Sequence, residues 1–154
     1  MIWKELEESL IFVNLEAANY RQVLERLGNA MIREGYAGES YAAALLKREK
    51  DFPTGLDIHG IGVAIPHTDA CHVIKEGIAA ASLKTPVLFY QMGEDGIQIP
   101  VSLVFLLAVK EPETHLKRLQ GILDIIQDKD ILERLLKAGS SEEIIQIIRS
   151  KEET

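Results

Sequence analysis

The stretch "GVAIPHTDA" (Gly62–Ala70) sets a histidine, a threonine and an aspartate directly behind a proline that ends the apolar run Ile61–Ile65. A residue before proline is biased to extended backbone, so the run can stay a strand to its last position. Pro66 then fixes its own φ and contributes no N–H. The His67 imidazole is therefore launched from a stiff support at a strand's C-terminal edge, where ligands gather in open α/β sheets. An unperturbed imidazole titrates near ~6.5, so it is largely neutral at pH 7 and can act as a nucleophile. From the residues alone two readings stay open: a reactive histidine held still, or an ordinary polar loop.

A second histidine bears on the choice. "VFLLAVKEPETHL" reads as a strand, a short turn and a helix that starts at Pro112, with His115 in its first turn. If the strands before His67 and before His115 are parallel neighbours, both rings face one cleft. The helix N-terminus there offers unpaired N–H groups and a positive dipole, which suit an oxyanion or phosphate. Taken alone, His115 reads as a surface residue. His59, in "DIHGIG", reads as a solvated loop residue. His72 follows Cys71, and adjacent side chains rarely face each other, so the two do not read as a nucleophile pair. No second cysteine and no tight His/Asp spacing suggests a metal, and no cofactor is expected.

Missing motifs narrow the chemistry further. The chain has neither G-x-x-x-x-G-K-[ST] nor G-x-G-x-x-G, hence no nucleotide-phosphate cradle, and no G-x-S-x-G elbow. A histidine here that takes phosphate must receive it from another protein, not from ATP bound by this chain.

The elements that must position these side chains are legible as follows. Ser9–Asn14 reads as a strand, with Asn14 as cap of a helix that ends at Gly35. Ser40 reads as the cap of a second helix, which must stop before Pro53. "FPTGLDIHG" reads as a loop. Ile61–Ile65, Gly77–Leu83, Val87–Tyr90 and Val101–Val109 read as strands, with "GEDG" (Gly93–Gly96) as a turn. From Pro112 the apolar period becomes helical, giving three amphipathic helices with a C-terminal cap at Gly139 and a capping box at Ser140–Glu143. The order β-α-α-β-β-β-β-α-α-α predicts an α/β fold: one mixed sheet flanked by helices on both faces.

Bulk composition agrees with one globular domain over residues 1–154. Hydrophobic residues make up 47%, charged residues 27%, and the net charge is −7, which argues against a nucleic-acid partner. The single cysteine excludes an internal disulfide. "MIWKELEESL" is too acidic for a signal peptide and "VSLVFLLAV" too short to span a bilayer, so no direct membrane insertion and a cytoplasmic location are expected.

"KREKDFPTGL", "GVAIPHTD", "PVLFYQM", "VSLVFLLAV" and "HLKRLQGIL" together resemble the fructose/mannitol-type enzyme IIA domain of the bacterial sugar phosphotransferase system, most of all its galactitol-specific branch. The resemblance runs from about Ile11 to the last helix, and the "PTG…AIPH" pairing is its specific part. It implies a mixed sheet of about five strands and a phosphoryl relay. HPr would donate a phosphoryl group to His67, the histidine of the A-[IV]-P-H motif. A cysteine of the IIB component would receive it, and a sugar entering through membrane-bound IIC would be its end point. Arg48, in the R-E-x-x-x-P-T segment, and His115 match the assisting residues of relatives. Thr68 can offer a hydroxyl to phosphate. The competing expectation is a regulatory phospho-acceptor module that reports phosphotransferase status to a target outside transport. A histidine-based hydrolase is a weaker third.

Overall fold

The structure, a computed structural model, describes residues 1–154. Five strands, β1 (Ile11–Leu15), β2 (Gly55–Ile58), β3 (Ile61–Ala64), β4 (Gly77–Tyr90) and β5 (Gln98–Ala108), form one open sheet in the order β1-β4-β5-β3-β2. Pairing is parallel for β1 with β4 and for β3 with β5, and antiparallel for β4 with β5 and for β2 with β3. The sheet is thus mixed, as the sequence predicts.

Strand alternation divides the core. Along β5, Val104, Leu106 and Ala108 face α1 (Tyr20–Arg33) and α2 (Tyr41–Asp51). Leu103, Phe105, Leu107 and Val109 face α3 (Pro112–Ile126), α4 (Lys129–Lys137) and α5 (Ser141–Glu152). A central strand covered on both sides needs no polar residue there, which explains the unbroken apolar run Leu103–Val109. No helix is long and apolar enough to cross a membrane.

Three local expectations are corrected. Asn14 does not cap α1; it lies inside β1 with φ 54°, where the register shifts, and its N–H donates to Ser82 Oγ at 2.9 Å. The cap is Asn19, whose side chain accepts from Gln22 N–H at 3.0 Å. "FPTGLDIHG" is not all loop, because Gly55–Ile58 pairs with β3 as an edge strand. Gly77–Leu83 and Val87–Tyr90 are one strand, not two. Between Ser82 and Val87 the register against β5 shifts, and Pro86, which has no N–H for a ladder bond, is taken up there. The extra strand and the fused pair cancel, so the count of five stands.

Two caps also differ in detail. Ser40 precedes α2 but its side chain makes no capping bond. Gly139 is not left-handed; Ala138 closes α4 in an extended conformation. Glu143, in the α5 capping box, returns its carboxylate to Gly139 N–H at 2.8 Å, while Ser140 Oγ accepts from Glu143 N–H at 3.1 Å. Gly35 does end α1 as expected, with φ 84°.

Gly62 tests how tightly the site's strand is seated. A Cβ there would overlap the Pro100 carbonyl oxygen and come within 2.7 Å of the carbonyl carbon, and backbone cannot swing aside as a side chain can. Gly62→Ala is expected to destabilise the fold by about 1–3 kcal/mol, read as a lowered midpoint in urea unfolding. An unchanged midpoint would refute the close β3–β5 contact.

Candidate functional site

β3 and β5 are parallel neighbours, so both deliver their C-terminal ends to one edge of the sheet. Pro66 does not end the pairing: its carbonyl accepts from Leu107 N–H at 2.9 Å, and His67 forms a last parallel bridge with Leu107. α2 reinforces this corner from below, where the buried Tyr41 hydroxyl donates to the Leu107 carbonyl at 3.0 Å. The His67 backbone is therefore held by the sheet, not by a loop.

His67 Nδ1 lies 3.2 Å from the Ile65 carbonyl oxygen. A carbonyl only accepts, so the proton is on Nδ1 and the lone pair on Nε2. Burial, the largest influence, lowers the imidazole's pKa from its ordinary 6.5. The Ile65 bond and Asp69 oppose that fall, and the Arg48 charge adds to it. A neutral ring with a free Nε2 is the protonation state that a nucleophile needs.

His115 meets His67 from β5's far end, through the Val109–Glu111 connection and the first turn of α3 with Pro112 at its head. The ring centroids are 4.6 Å apart and the planes tilted by 44°. Its pKa is also lowered, first by burial and then by His67, Arg48 and Arg118. Both rings line an open cleft of about 290 Å³ together with Arg48, Thr68, Asp69 and Lys110.

Arg48 sits in the last turn of α2. Its guanidinium lies 4.5 Å from the Phe52 ring centre, and Nη1 donates to Asp69 Oδ1 at 3.2 Å. Its Nε is buried without a partner. The Arg48 and Asp69 side chains are 32% and 74% exposed, so this ion pair is weak and easily exchanged. Thr68 lines the cleft, but its hydroxyl donates to the Asp69 carbonyl at 3.0 Å and must turn away from it to meet an anion. The four residues singled out in the sequence, His67, His115, Arg48 and Thr68, thus come together around one cleft.

The other histidines stay apart from it. His59 is more than a solvated loop residue: at φ 55° its Nε2 donates to the Gln127 carbonyl at 2.6 Å, tying the β2–β3 turn to the end of α3. His72 Nδ1 pairs with Ser40 Oγ at 2.8 Å, which accounts for that serine's missing capping bond. Cys71 is exposed beside it. No three His, Cys, Asp or Glu side chains converge as a metal site would require.

One network escaped the sequence reading. Arg118, one turn past His115, donates to Glu76 Oε2 at 2.6 Å and through Nε to Glu5 Oε1 at 2.7 Å. Glu76 Oε1 also accepts from Lys110 N–H at 3.2 Å. The connection that carries His115 is thereby tied to the start of β4 and to the N-terminal segment. Residues so far apart in the chain leave no local signal.

Residues 5–151 match the family described as "Phosphoenolpyruvate-dependent sugar phosphotransferase system, EIIA 2". The chain is 35% identical over 115 residues to the galactitol-specific EIIA component of the phosphotransferase system of Escherichia coli (strain K12), covering 75% of this chain and 76% of that protein. The complex of mannitol enzyme IIA with phosphorylated enzyme IIB from Escherichia coli superposes with a TM-score of 0.79 at 25% identity, over 94% of this chain and 97% of that one. Nitrogen regulatory protein IIA-Ntr from Neisseria meningitidis superposes with a TM-score of 0.77 at 30% identity, over 96% of this chain and 98% of that one.

Proposed function

Because the chain belongs to the EIIA type 2 family of the phosphoenolpyruvate-dependent sugar phosphotransferase system, we propose that it carries a phosphoryl group on Nε2 of His67. The observation that carries this reading is the Nδ1–H bond to the Ile65 carbonyl, which leaves Nε2 with its lone pair beside His115 and Arg48. The donor is phosphorylated HPr. The His67 Nε2 lone pair attacks the phosphorus, a new N–P bond forms, and the donor's N–P bond breaks with its electron pair returning to the donor ring. Nδ1 keeps its proton, so the step needs no proton transfer within this chain. In the second step a IIB cysteine thiolate attacks the same phosphorus and the electron pair returns to Nε2.

The other cleft residues act on charge. Phosphorylation brings about −1.5 to −2 of charge to a ring edge that is neutral before it. Arg48 can leave Asp69 and present its planar fork to the phosphoryl oxygens. His115, kept neutral by burial and by nearby positive charges, gains a reason to protonate once that anion arrives. Thr68 supplies a further hydroxyl after its rotor turns. Similarity to the galactitol-specific component points to galactitol, or another polyol, as the cargo sugar of the partner IIC. Work between HPr and IIB places the protein in the cytoplasm.

A regulatory role that feeds no transporter is the second reading, favoured by the likeness to nitrogen regulatory protein IIA-Ntr. One experiment covers both. Intact-mass measurement is expected to show one added phosphoryl group after incubation with phosphorylated HPr and none with ATP alone. Onward transfer to a galactitol-type IIB supports transport; acceptance from HPr without any onward transfer supports regulation. Labelling by ATP alone would refute the donor.

A further inference from the structure

The buried stripe of α2 is Tyr41, Leu45 and Glu49, successive positions four residues apart on one helix face. The third is a carboxylate only 3% exposed, where an apolar residue would pack more cheaply. None of the ion pairs in the chain includes it. Both its oxygens serve one residue: Oε2 accepts from Thr54 N–H at 2.7 Å and Oε1 from Thr54 Oγ1 at 2.8 Å.

Thr54, itself 2% exposed, hands the link on. Its carbonyl accepts from Ile65 N–H at 3.3 Å, and the Ile65 carbonyl accepts from His67 Nδ1–H. A chain of hydrogen bonds therefore runs from a buried carboxylate on α2 to the ring that faces the cleft. We propose that Glu49 is a positioning residue: through Thr54 and the Ile65 backbone it holds the His67 ring in the Nδ1–H tautomer, keeping Nε2 free for the phosphoryl group. The functional part of this rests on His67 as the acceptor.

The carboxyl's own state fits the role. Burial pushes its pKa up to about 6 against the two Thr54 bonds, which pull it down. It is thus mostly ionised at pH 7 and able to accept from both Thr54 donors. An apolar side chain at this position would leave Thr54 N–H and Oγ1 without partners in the interior and loosen the residue that leads into β2.

Nitrogen NMR of the histidine rings tests the idea on the purified full chain, before any phosphoryl donor is added. Wild-type His67 is expected to show a neutral ring protonated at Nδ1. In Glu49→Ala the His67 signals are expected to move towards the Nε2–H tautomer, and phosphoryl uptake to slow by about tenfold or more, as misplaced reacting groups do. Glu49→Gln is expected to restore both, since its amide oxygen can accept from Thr54 N–H while its NH₂ donates to Thr54 Oγ1. If Glu49→Ala fails to fold, the pair Thr54→Val and Thr54→Ser carries the test: Val removes the hydroxyl donor and shifts the ring, Ser keeps it and does not. A folded Glu49→Ala or Thr54→Val protein with the wild-type ring pattern overturns the proposal, as does slowed uptake with unchanged ring signals. Should wild type take no phosphoryl group on His67, the acceptor assignment falls, while the ring pattern still decides whether Glu49 holds the imidazole.

Discussion

Incubated with phosphorylated HPr, the His67→Ala protein is expected to keep its unphosphorylated mass while wild type gains one phosphoryl group. The effect is complete loss because no second nucleophile in the cleft is prepared in the same way. His115 lies close enough to compete, at 4.6 Å between ring centres, but no hydrogen bond fixes its tautomer. The proposed role of His115 is to balance charge, so His115→Ala slows uptake and still yields phospho-His67. Full labelling of His67→Ala would overturn the acceptor assignment. The lowered His67 pKa adds a pH signature. As pH falls through about 6.5, an ordinary imidazole protonates and loses its nucleophilic pair, whereas the folded His67 stays neutral to lower pH. The unfolded chain takes up that proton first, so His67 contributes a loss of stability as pH falls below about 6.5.

Arg48→Ala is expected to slow phosphoryl uptake by about 10²–10³-fold, the usual range for losing one positioned donor to a developing anion. Arg48→Lys recovers part of this, since an ammonium supplies charge but not the two-pronged geometry. Stability changes little by comparison. The Arg48–Asp69 pair is exposed, and pairs of that kind contribute about 0–1 kcal/mol. The separation of a large kinetic loss from a small thermodynamic one distinguishes a working residue from a surface charge on α2. Quench-flow rates equal to wild type in both variants would assign Arg48 to the latter.

The parts of this fold that obey a simple periodicity are readable from the residues. α3, α4 and α5 show their apolar stripes directly, and the apolar run Leu103–Ala108 at the end of β5 announces a segment buried on both faces. The meeting of His67 and His115 follows from one inference, that two strands ending in X-Pro or a helix-starting Pro run parallel. What was hidden has physical reasons. β2 is an edge strand with a glycine and an aspartate, a composition that mimics a loop because one of its sides needs no partner. β4 looks interrupted because Pro86 cannot join a ladder, yet the register shift absorbs it. Asn14 resembles a helix cap because the same small polar side chain also suits the left-handed kink it makes in β1. Glu49 lies in the R-E-x-x-x-P-T segment but carries no sign there of a separate role, since charged positions on an amphipathic helix ordinarily face water, and only the packed structure shows this one turned inward.

Arg48 rests against Asp69 at the cleft. In the role proposed, this means that the guanidinium is never bare: it trades a carboxylate for a phosphoryl oxygen on loading and trades back on release. The number of neutralised charges around it is nearly the same in both states, so neither loading nor discharge runs steeply downhill on its account. A middle member of a relay needs that levelness. A site that gripped the phosphoryl group with a previously unpaired cation would become a sink, and one that offered no cation would refuse the group. With a loosely held internal counter-ion the equilibrium stays close to even, and the direction of flow is left to the supply on one side and the demand on the other.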